Sequence, residues 1–197
     1  MVYSTLRDHW KCHYSRAIEN QLDVVHLPFV HHNTIGRGNR TLVNGPVTKE
    51  ELNGKGDTLL NLWVNNELDD GQKPIKPSDM PEPIRRPFLQ FRFPNLWQNW
   101  ISDNIRIVVA FAPIDNENTM MYLRYYHTTR TPILRQLAGW TGSLANLIIE
   151  RQDRRVVITQ RPMRSDLVIG ETLISGDHPI IEYRKRRRML IEDKLTK

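Results

Sequence analysis

The stretch from Asn20 to His31 reads Asn-Gln-Leu-Asp-Val-Val-His-Leu-Pro-Phe-Val-His and holds two histidines, His26 and His31, with a proline between them. Asn20, Asp23 and His26 follow one another at intervals of three residues, which places their side chains on one face of a helix. Pro28 has no N–H to bond to the preceding turn. We therefore predict a helix that breaks or bends at Pro28, and a bend that brings His31 round to meet His26.

These residue types are those of a metal site. Neutral imidazole is the commonest metal ligand in proteins, and a carboxylate or a carbonyl usually holds its second nitrogen. Two histidines and one carboxylate on one side of a metal, with the other positions open, are typical of a non-haem Fe(II) oxygenase. Asp23 is placed to hold the second nitrogen of His26.

Two alternatives compete with an iron site at this stretch. Neighbouring histidines are more often solvated or core residues than metal ligands. A Zn²⁺ hydrolase uses similar ligands, but it also needs a general base, and none is evident beside Asn20 and Asp23.

The array Asn-x-x-Asp-x-x-His-x4-His with its internal proline resembles the catalytic domain of Rieske-type non-haem iron oxygenases. The resemblance is to the branch with vanillate demethylase, dicamba monooxygenase and pheophorbide oxygenase. The continuation over residues 28–36, Pro-Phe-Val-His-His-Asn-Thr-Ile-Gly, is similar to that branch as well. The resemblance implies that His26 and His31 bind iron. It also implies that Asp23 links the iron to a neighbouring Rieske cluster, with Asn20 close to the iron.

A second segment carries the third ligand that the resemblance implies. Residues 150–160 read Glu-Arg-Gln-Asp-Arg-Arg-Val-Val-Ile-Thr-Gln, and a similar Asp-Arg segment on a late helix of the family supplies this ligand. Asp153 matches that position, and Glu150 is the rival if the register of the helix differs. Without the resemblance, Asp153 beside its arginines would be a surface ion pair worth under about 1 kcal/mol.

The composition is that of a soluble globular chain without a membrane span or a disulfide. The 197 residues, 39% of them hydrophobic, suffice for one domain with a core, which we predict over residues 1–197. The sequence contains no run of about 18 apolar residues, and its start lacks the apolar core of a signal peptide. The single cysteine, Cys12, excludes an internal disulfide and fits a reducing cytoplasm.

The same cysteine count limits the source of electrons. A Rieske [2Fe–2S] cluster needs two cysteines and two histidines of its own, so this chain cannot hold one. Either the sequence is a fragment, or the domain takes electrons from a Rieske cluster on another chain, with a ferredoxin-type donor and a reductase as partners. Family members often form head-to-tail trimers, so the resemblance also implies a homotrimer.

Much of the net charge of +6 comes from the run Arg184-Lys185-Arg186-Arg187-Arg188. Such a run near the C-terminus is more often a solvated helix face, where cations suit the helix dipole, than a nucleic-acid patch. No nucleic-acid-binding motif accompanies it in the sequence. We therefore predict that nucleic acid is not a partner.

The hydrophobic periodicity predicts several antiparallel strands followed by long helices, which is an α+β fold. Residues 105–112 and 119–127 predict a hairpin, and one of its faces would look into a cavity above the iron, with Tyr122, Tyr125 and His127 as candidate lining residues. Ordinary sheet packing is the alternative role for these three side chains. Further strands are predicted over residues 41–48, 58–65, 88–93 and 165–173, with a proline-rich loop over 68–87.

Two helices close the predicted fold. The first begins at Pro132 and runs to about residue 160, and Gly139 and Gly142 predict a break or a close packing contact within it. The second follows Asp177 as its cap. The family resemblance implies that the curved sheet wraps a helix, as in the helix-grip fold of START and Bet v 1 proteins.

Together these implications predict a non-haem Fe(II) oxygenase domain. O2 is the co-substrate, and the substrate is aromatic or otherwise apolar. The branch implies monohydroxylation or O-demethylation rather than cis-dihydroxylation. The alternative is a helix-grip ligand-binding module whose iron site is unused because the chain lacks its electron donor.

Overall fold

A single antiparallel sheet forms the centre of the fold. The computed structural model describes residues 1–37, 44–64 and 70–195. The strands within these ranges are β1 (Val2–Trp10), β2 (Val47–Leu52), β3 (Thr58–Trp63), β4 (Leu89–Arg92), β5 (Leu96–Ser102), β6 (Ile105–Pro113) and β7 (Thr119–His127). Their order across the sheet is β1-β7-β6-β5-β4-β3-β2, and all neighbours are antiparallel. The first strand of the chain therefore pairs with the last.

Helices cover the inner face of this curved sheet. Those in the described ranges are α1 (Tyr14–Leu22), α2 (Leu27–Val30), α3 (Pro132–Val157) and α4 (His178–Leu195). The long α3 packs against β1 and β7, α1 packs against β6, and α4 packs against β3. The predicted α+β class, a curved antiparallel sheet on C-terminal helices, is confirmed. None of the helices described here combines the length and the apolar character needed to cross a membrane.

Alternation along the strands explains where the core lies. In β1 every second side chain faces the helices, so Leu6 and Trp10 point inwards while Tyr3 and Arg7 point to solvent. Inward residues of β3 to β7 join them in one cluster with apolar residues of α1 and α4. Its largest fully buried members include Trp10, Ile18, Leu60, Phe91, Phe111, Met121 and Tyr183.

The hairpin and the long helix follow the prediction, with one correction. The strands β6 and β7 pair from Ile105↔His127 to Pro113↔Thr119. The helix α3 begins at Pro132 but runs without interruption past Gly139 and Gly142, so the predicted break is wrong. The predicted close contact is confirmed, because a Cβ on Gly142 would overlap the ring of Tyr125.

Other sequence predictions need correction or fall partly outside the described ranges. Residues 165–173 form no strand, because the Ser165 N–H bonds to the hydroxyl of Ser15 and the Ser165 carbonyl accepts from Arg187. Asp177 ends a 3₁₀ turn (Ser175–Asp177) directly before α4, and its carboxylate accepts from the Ile174 N–H. Of the strands predicted at 41–48 and 58–65 and the loop predicted at 68–87, residues 41–43, 65 and 68–69 lie outside the described residues.

The basic run 184–188 is not simply a solvated helix face. Arg184 is buried and its guanidinium bonds to Glu19 at 2.7 Å and to Glu171 at 2.8 Å. Arg187, one turn later, is also buried and donates to the hydroxyl of Tyr14 at 2.9 Å. Every third residue of the run therefore packs α4 against α1, while Lys185 stays exposed.

Candidate metal centre

The chain leaves α1 at Asp23, five residues earlier than the predicted break at Pro28. The Oδ1 atom of Asp23 accepts the backbone N–H groups of Val25 at 2.8 Å and His26 at 3.2 Å. This side-chain turn competes with continued helix and ends it. Asn20, Asp23 and His26 therefore do not share one helical face. Pro28 lies instead in the first turn of α2, where its missing N–H costs nothing.

The single turn of α2 brings the two histidines together. His26 caps its start and His31 caps its end. Their ring centres lie 5.2 Å apart, and their Nε2 atoms approach to 3.2 Å. The predicted meeting of His26 and His31 is thus present, but a second helix produces it rather than a bend in the first.

Asp153 joins the two histidines from α3. Its Oδ1 atom lies 2.9 Å from Nε2 of His31 and 3.3 Å from Nε2 of His26. These residues offer three ligand atoms within 4.8 Å of one another, and among the described residues they are the one such His, Cys, Asp or Glu group. Glu150, the rival ligand, is buried one turn earlier on α3 and is not a member.

The electrostatics of this cluster favour a bound positive charge. Burial opposes the charge on His26, but hydrogen bonds to Asp153 and Asp23 outweigh it and raise the pKa of His26 to about 9. Burial likewise opposes the charge on Asp153, yet hydrogen bonds from His26 and His31 outweigh it and lower the pKa of Asp153 to about 2. The cluster therefore holds a proton tightly where a metal cation would sit, so its donor set fits a cation.

The far side of each of the three side chains faces another polar group, and for His31 and Asp153 the contact is a hydrogen bond. Nδ1 of His31 lies 2.8 Å from Oε1 of Gln152, and Nδ1 of His26 lies 3.6 Å from Oδ2 of Asp23. Gln21 donates to Oδ2 of Asp153 at 3.4 Å. Such outer contacts orient metal ligands and fix the tautomers of histidines. They leave both Nε2 atoms and Oδ1 facing a common point.

Sequence reasoning missed the two glutamines. Gln152 directly precedes Asp153 and Gln21 lies between Asn20 and the end of α1, so adjacency to predicted site residues was the one signal available. No sequence spacing predicts that a glutamine will orient a metal ligand, because its role depends on which distant element packs against its amide. Gln152 bonds to His31 across most of the length of the chain.

Asn20 lies in the last turn of α1 and is buried. Its Nδ2 atom has no hydrogen-bond partner among the described residues. A buried amide left without a partner is costly unless a further group satisfies it. The place of Asn20 beside an iron stays a prediction.

Exposure rises along the series from the interior to Asp23. The side chain of His31 is 2% exposed, Asp153 5%, His26 14% and Asp23 28%. Asp23 is therefore the member of this series that reaches the surface most.

The three hairpin residues proposed to line a cavity do not share a face. Tyr125 lies against Gly142 of α3, and His127 lies beside Gly139, so both face the helices. Tyr122 points to the opposite face of the sheet, where it lines an open groove of about 640 Å³ with Arg7 and Arg124. The prediction that all three side chains line a single pocket is therefore wrong.

Comparisons with known proteins place this geometry in a family. The family model described as "Vanillate O-demethylase oxygenase C-terminal domain" matches residues 10–193. No curated protein sequence matched the chain. Among solved structures, Pseudomonas putida CBB5 NdmA with caffeine, a QL mutant, superposes with a TM-score of 0.62 at 17% identity, over 97% of this chain and 51% of that one.

Two further solved structures share the fold. The oxygenase and ferredoxin complex of carbazole 1,9a-dioxygenase gives a TM-score of 0.66 at 14% identity, over 93% of this chain and 54% of that one. The quaternary ammonium Rieske monooxygenase CntA gives 0.57 at 14% identity, over 94% and 48%. This chain thus spans about half the length of these structures. Since the family model covers nearly all of it, the chain belongs to the family of the vanillate O-demethylase oxygenase C-terminal domain, the catalytic domain of Rieske-type oxygenases.

Proposed function

We propose that this domain is the catalytic component of a non-haem Fe(II) oxygenase that uses O2 to hydroxylate or demethylate an aromatic or other apolar substrate. The observation that carries the proposal is the convergence of His26, His31 and Asp153 in a chain of this family. The three residues would hold Fe(II) through Nε2, Nε2 and Oδ1. Bound in this way on one side, iron supplies open coordination positions for O2.

The protein's own part in this chemistry is to hold the ligand atoms in place. Gln152 and Asp23 face the Nδ1 atoms of the two histidines, and Gln21 donates to the outer oxygen of Asp153. His31 and Asp153 then do not have to reorient when a metal enters. A site with mobile ligand side chains would have to order them before it could bind the metal.

Asp23 is the residue that we assign to the electron partner. Its carboxylate faces Nδ1 of His26, and its side chain is the most exposed of the series. A Rieske cluster on another chain or domain would dock beside Asp23, with a ferredoxin-type donor and a reductase behind it. One of the solved structures of similar fold is itself a complex of an oxygenase with a ferredoxin. The homotrimer and the cytoplasmic location rest on the family and the composition alone.

The substrate class comes from the names of the proteins with similar folds. The QL mutant of NdmA was solved with caffeine and with theobromine, and another protein of similar fold is a carbazole 1,9a-dioxygenase. These compounds are flat heteroaromatic rings. We propose a substrate of that kind, monohydroxylated or demethylated, for this domain.

Metal content tests the proposal. Protein purified anaerobically should contain roughly one iron per chain, or take it up from added Fe(II), and His26→Ala should contain none. His32→Ala is the matched control, because His32 is exposed and its ring bonds to the carbonyl of Phe29 instead. Absence of iron in the wild type after Fe(II) is added would favour the plain ligand-binding module. Zinc without uptake of Fe(II) would favour hydrolase chemistry.

A further inference from the structure

The side-chain amide of Gln152 makes three contacts, two through its oxygen and one through its nitrogen. Its Oε1 atom lies 2.8 Å from Nδ1 of His31 and accepts the hydroxyl of Thr34 at 2.9 Å. Its Nε2 atom donates to Oδ1 of Asn33 at 2.9 Å. The amide oxygen therefore faces His31, and an amide oxygen can only accept. In the His31–Gln152 contact Nδ1 of His31 is then the donor, so it carries a proton.

We propose that Gln152 is a positioning residue that fixes the tautomer and the ring orientation of His31. Without a metal, Nε2 donates to Oδ1 of Asp153, 2.9 Å away. With a proton held on Nδ1, it is the Nε2 lone pair that becomes available when a metal displaces the proton between them. This inference rests on the proposed metal site, because it explains how one ligand of that site is prepared. It assigns a role to a side chain that no spacing pattern singles out.

The neutrality of Gln152 is part of the role. His26 is faced by a carboxylate, Asp23, whereas His31 is faced by an amide. Asp153 is adjacent in sequence, and the buried Glu150 lies one turn away, with burial first and then the charges of Asp8 and Asp153 raising its pKa to about 8. A carboxylate at position 152 would add like charge to this crowded region. The amide accepts the same hydrogen bond without that cost.

Gln152 also ties together two parts of the site that are far apart in sequence. Asn33 and Thr34 follow His31 in the turn after α2, while Gln152 belongs to α3. The turn is itself tightly folded, since the Gly36 N–H bonds to the His31 carbonyl at 2.9 Å and a Cβ on Gly36 would overlap the carbonyl of Leu27. One amide thus holds the ring of His31 and its turn against the helix that carries Asp153.

The experiment uses Zn²⁺ as a diamagnetic probe of the whole chain. Gln152→Leu should lower the affinity for Zn²⁺ about 10- to 100-fold, measured by competition with a chelator. In imidazole ¹H–¹⁵N spectra of the zinc-loaded protein, the Nδ1–H proton of His31 should be protected from water in the wild type and exchange rapidly in Gln152→Leu. Gln152→Glu should restore the protected proton, because its carboxylate accepts the same bond.

Two controls separate the outcomes. Arg151→Leu changes the exposed neighbour on the same helix and should leave affinity and spectrum as in the wild type. A protected Nδ1–H and unchanged affinity in Gln152→Leu would overturn the role of Gln152, and so would failure of Gln152→Glu to restore the proton. His31→Ala that binds Zn²⁺ as tightly as the wild type would instead overturn the metal site itself.

Discussion

Nε2 of His31 lies 2.9 Å from Oδ1 of Asp153, although one residue ends the four-residue helix α2 and the other lies near the end of α3. Both side chains are nearly excluded from solvent. Burial makes an isolated carboxylate costly, so the pair persists because the imidazoles supply hydrogen bonds and positive charge. The same arrangement would accept a divalent cation in place of the proton.

Removing the charge of Asp153 should abolish metal binding. Asp153→Asn keeps the size of the side chain but loses the anionic oxygen, so we expect at least about a 100-fold loss of affinity for Fe(II). Glu150→Gln is the matched control, because Glu150 is a buried carboxyl one turn earlier on the same helix. Anaerobic titration of both variants checks the result. If Glu150→Gln lost the metal and Asp153→Asn kept it, the ligand assignment would move to Glu150.

Asp23 should matter for electron delivery and not for metal content. Asp23→Asn retains an oxygen that can accept the N–H groups of Val25 and His26, so the turn after α1 should stay intact. It loses the charge that faces Nδ1 of His26. We expect iron to remain bound while turnover with a Rieske-type donor falls about tenfold or more. Single-turnover rates with a reduced donor measure this, and an unchanged rate would contradict the relay role.

Local patterns predicted those parts of the fold that depend on local physics. The apolar run over residues 105–112, the turn-like residues after it and the alternation over residues 119–127 are enough to predict the hairpin. Pro132 is enough to predict the start of α3. The end of α1 was predicted five residues too late, because the side chain of Asp23, and not Pro28, ends the helix.

Features that depend on distant partners were beyond sequence reasoning. Arg184 is buried because the carboxylates of Glu19 and Glu171 neutralise its charge. The sequence around residue 184 contains no pattern that predicts either partner. Asp153 was singled out by family resemblance alone, since its neighbours are arginines and its site partners lie at the other end of the chain. Gln152 was overlooked for the same reason.

Gly142 and Gly139 should respond to substitution with opposite signs. Gly142→Ala would push a Cβ into the ring of Tyr125, and overpacking of this kind costs about 1–3 kcal/mol of stability. Gly139→Ala meets its nearest atoms at 3.8 Å, an ordinary contact, so the better helix propensity of alanine should stabilise by up to about 1 kcal/mol. Denaturant unfolding of both variants gives the two free energies. Equal destabilisation would mean that α3 does not pack on β7 as described.

His13 should make the protein less stable as the pH falls. Its Nδ1 atom accepts the Ser15 N–H at 3.2 Å and so caps α1. Burial and then the charges of Arg187 and Arg164 lower the pKa of His13 to about 4. The unfolded chain takes up this proton near pH 6.5, whereas the folded chain resists it until about pH 4. The contribution of His13 is therefore complete above pH 6.5 and is lost progressively as the pH falls towards 4.

Replacing His13 by a cap that does not titrate isolates this effect. The side chain of His13→Asn can accept the same N–H but does not titrate. Between pH 6.5 and 4 the wild type should therefore lose more of its free energy of unfolding than His13→Asn does, by on the order of 1 kcal/mol. Unfolding curves of the metal-free proteins across this range make the comparison. If the free energy of unfolding of His13→Asn depended on pH as it does in the wild type, His13 would take up its proton equally well in the folded protein. Its Nδ1 atom would then not cap α1.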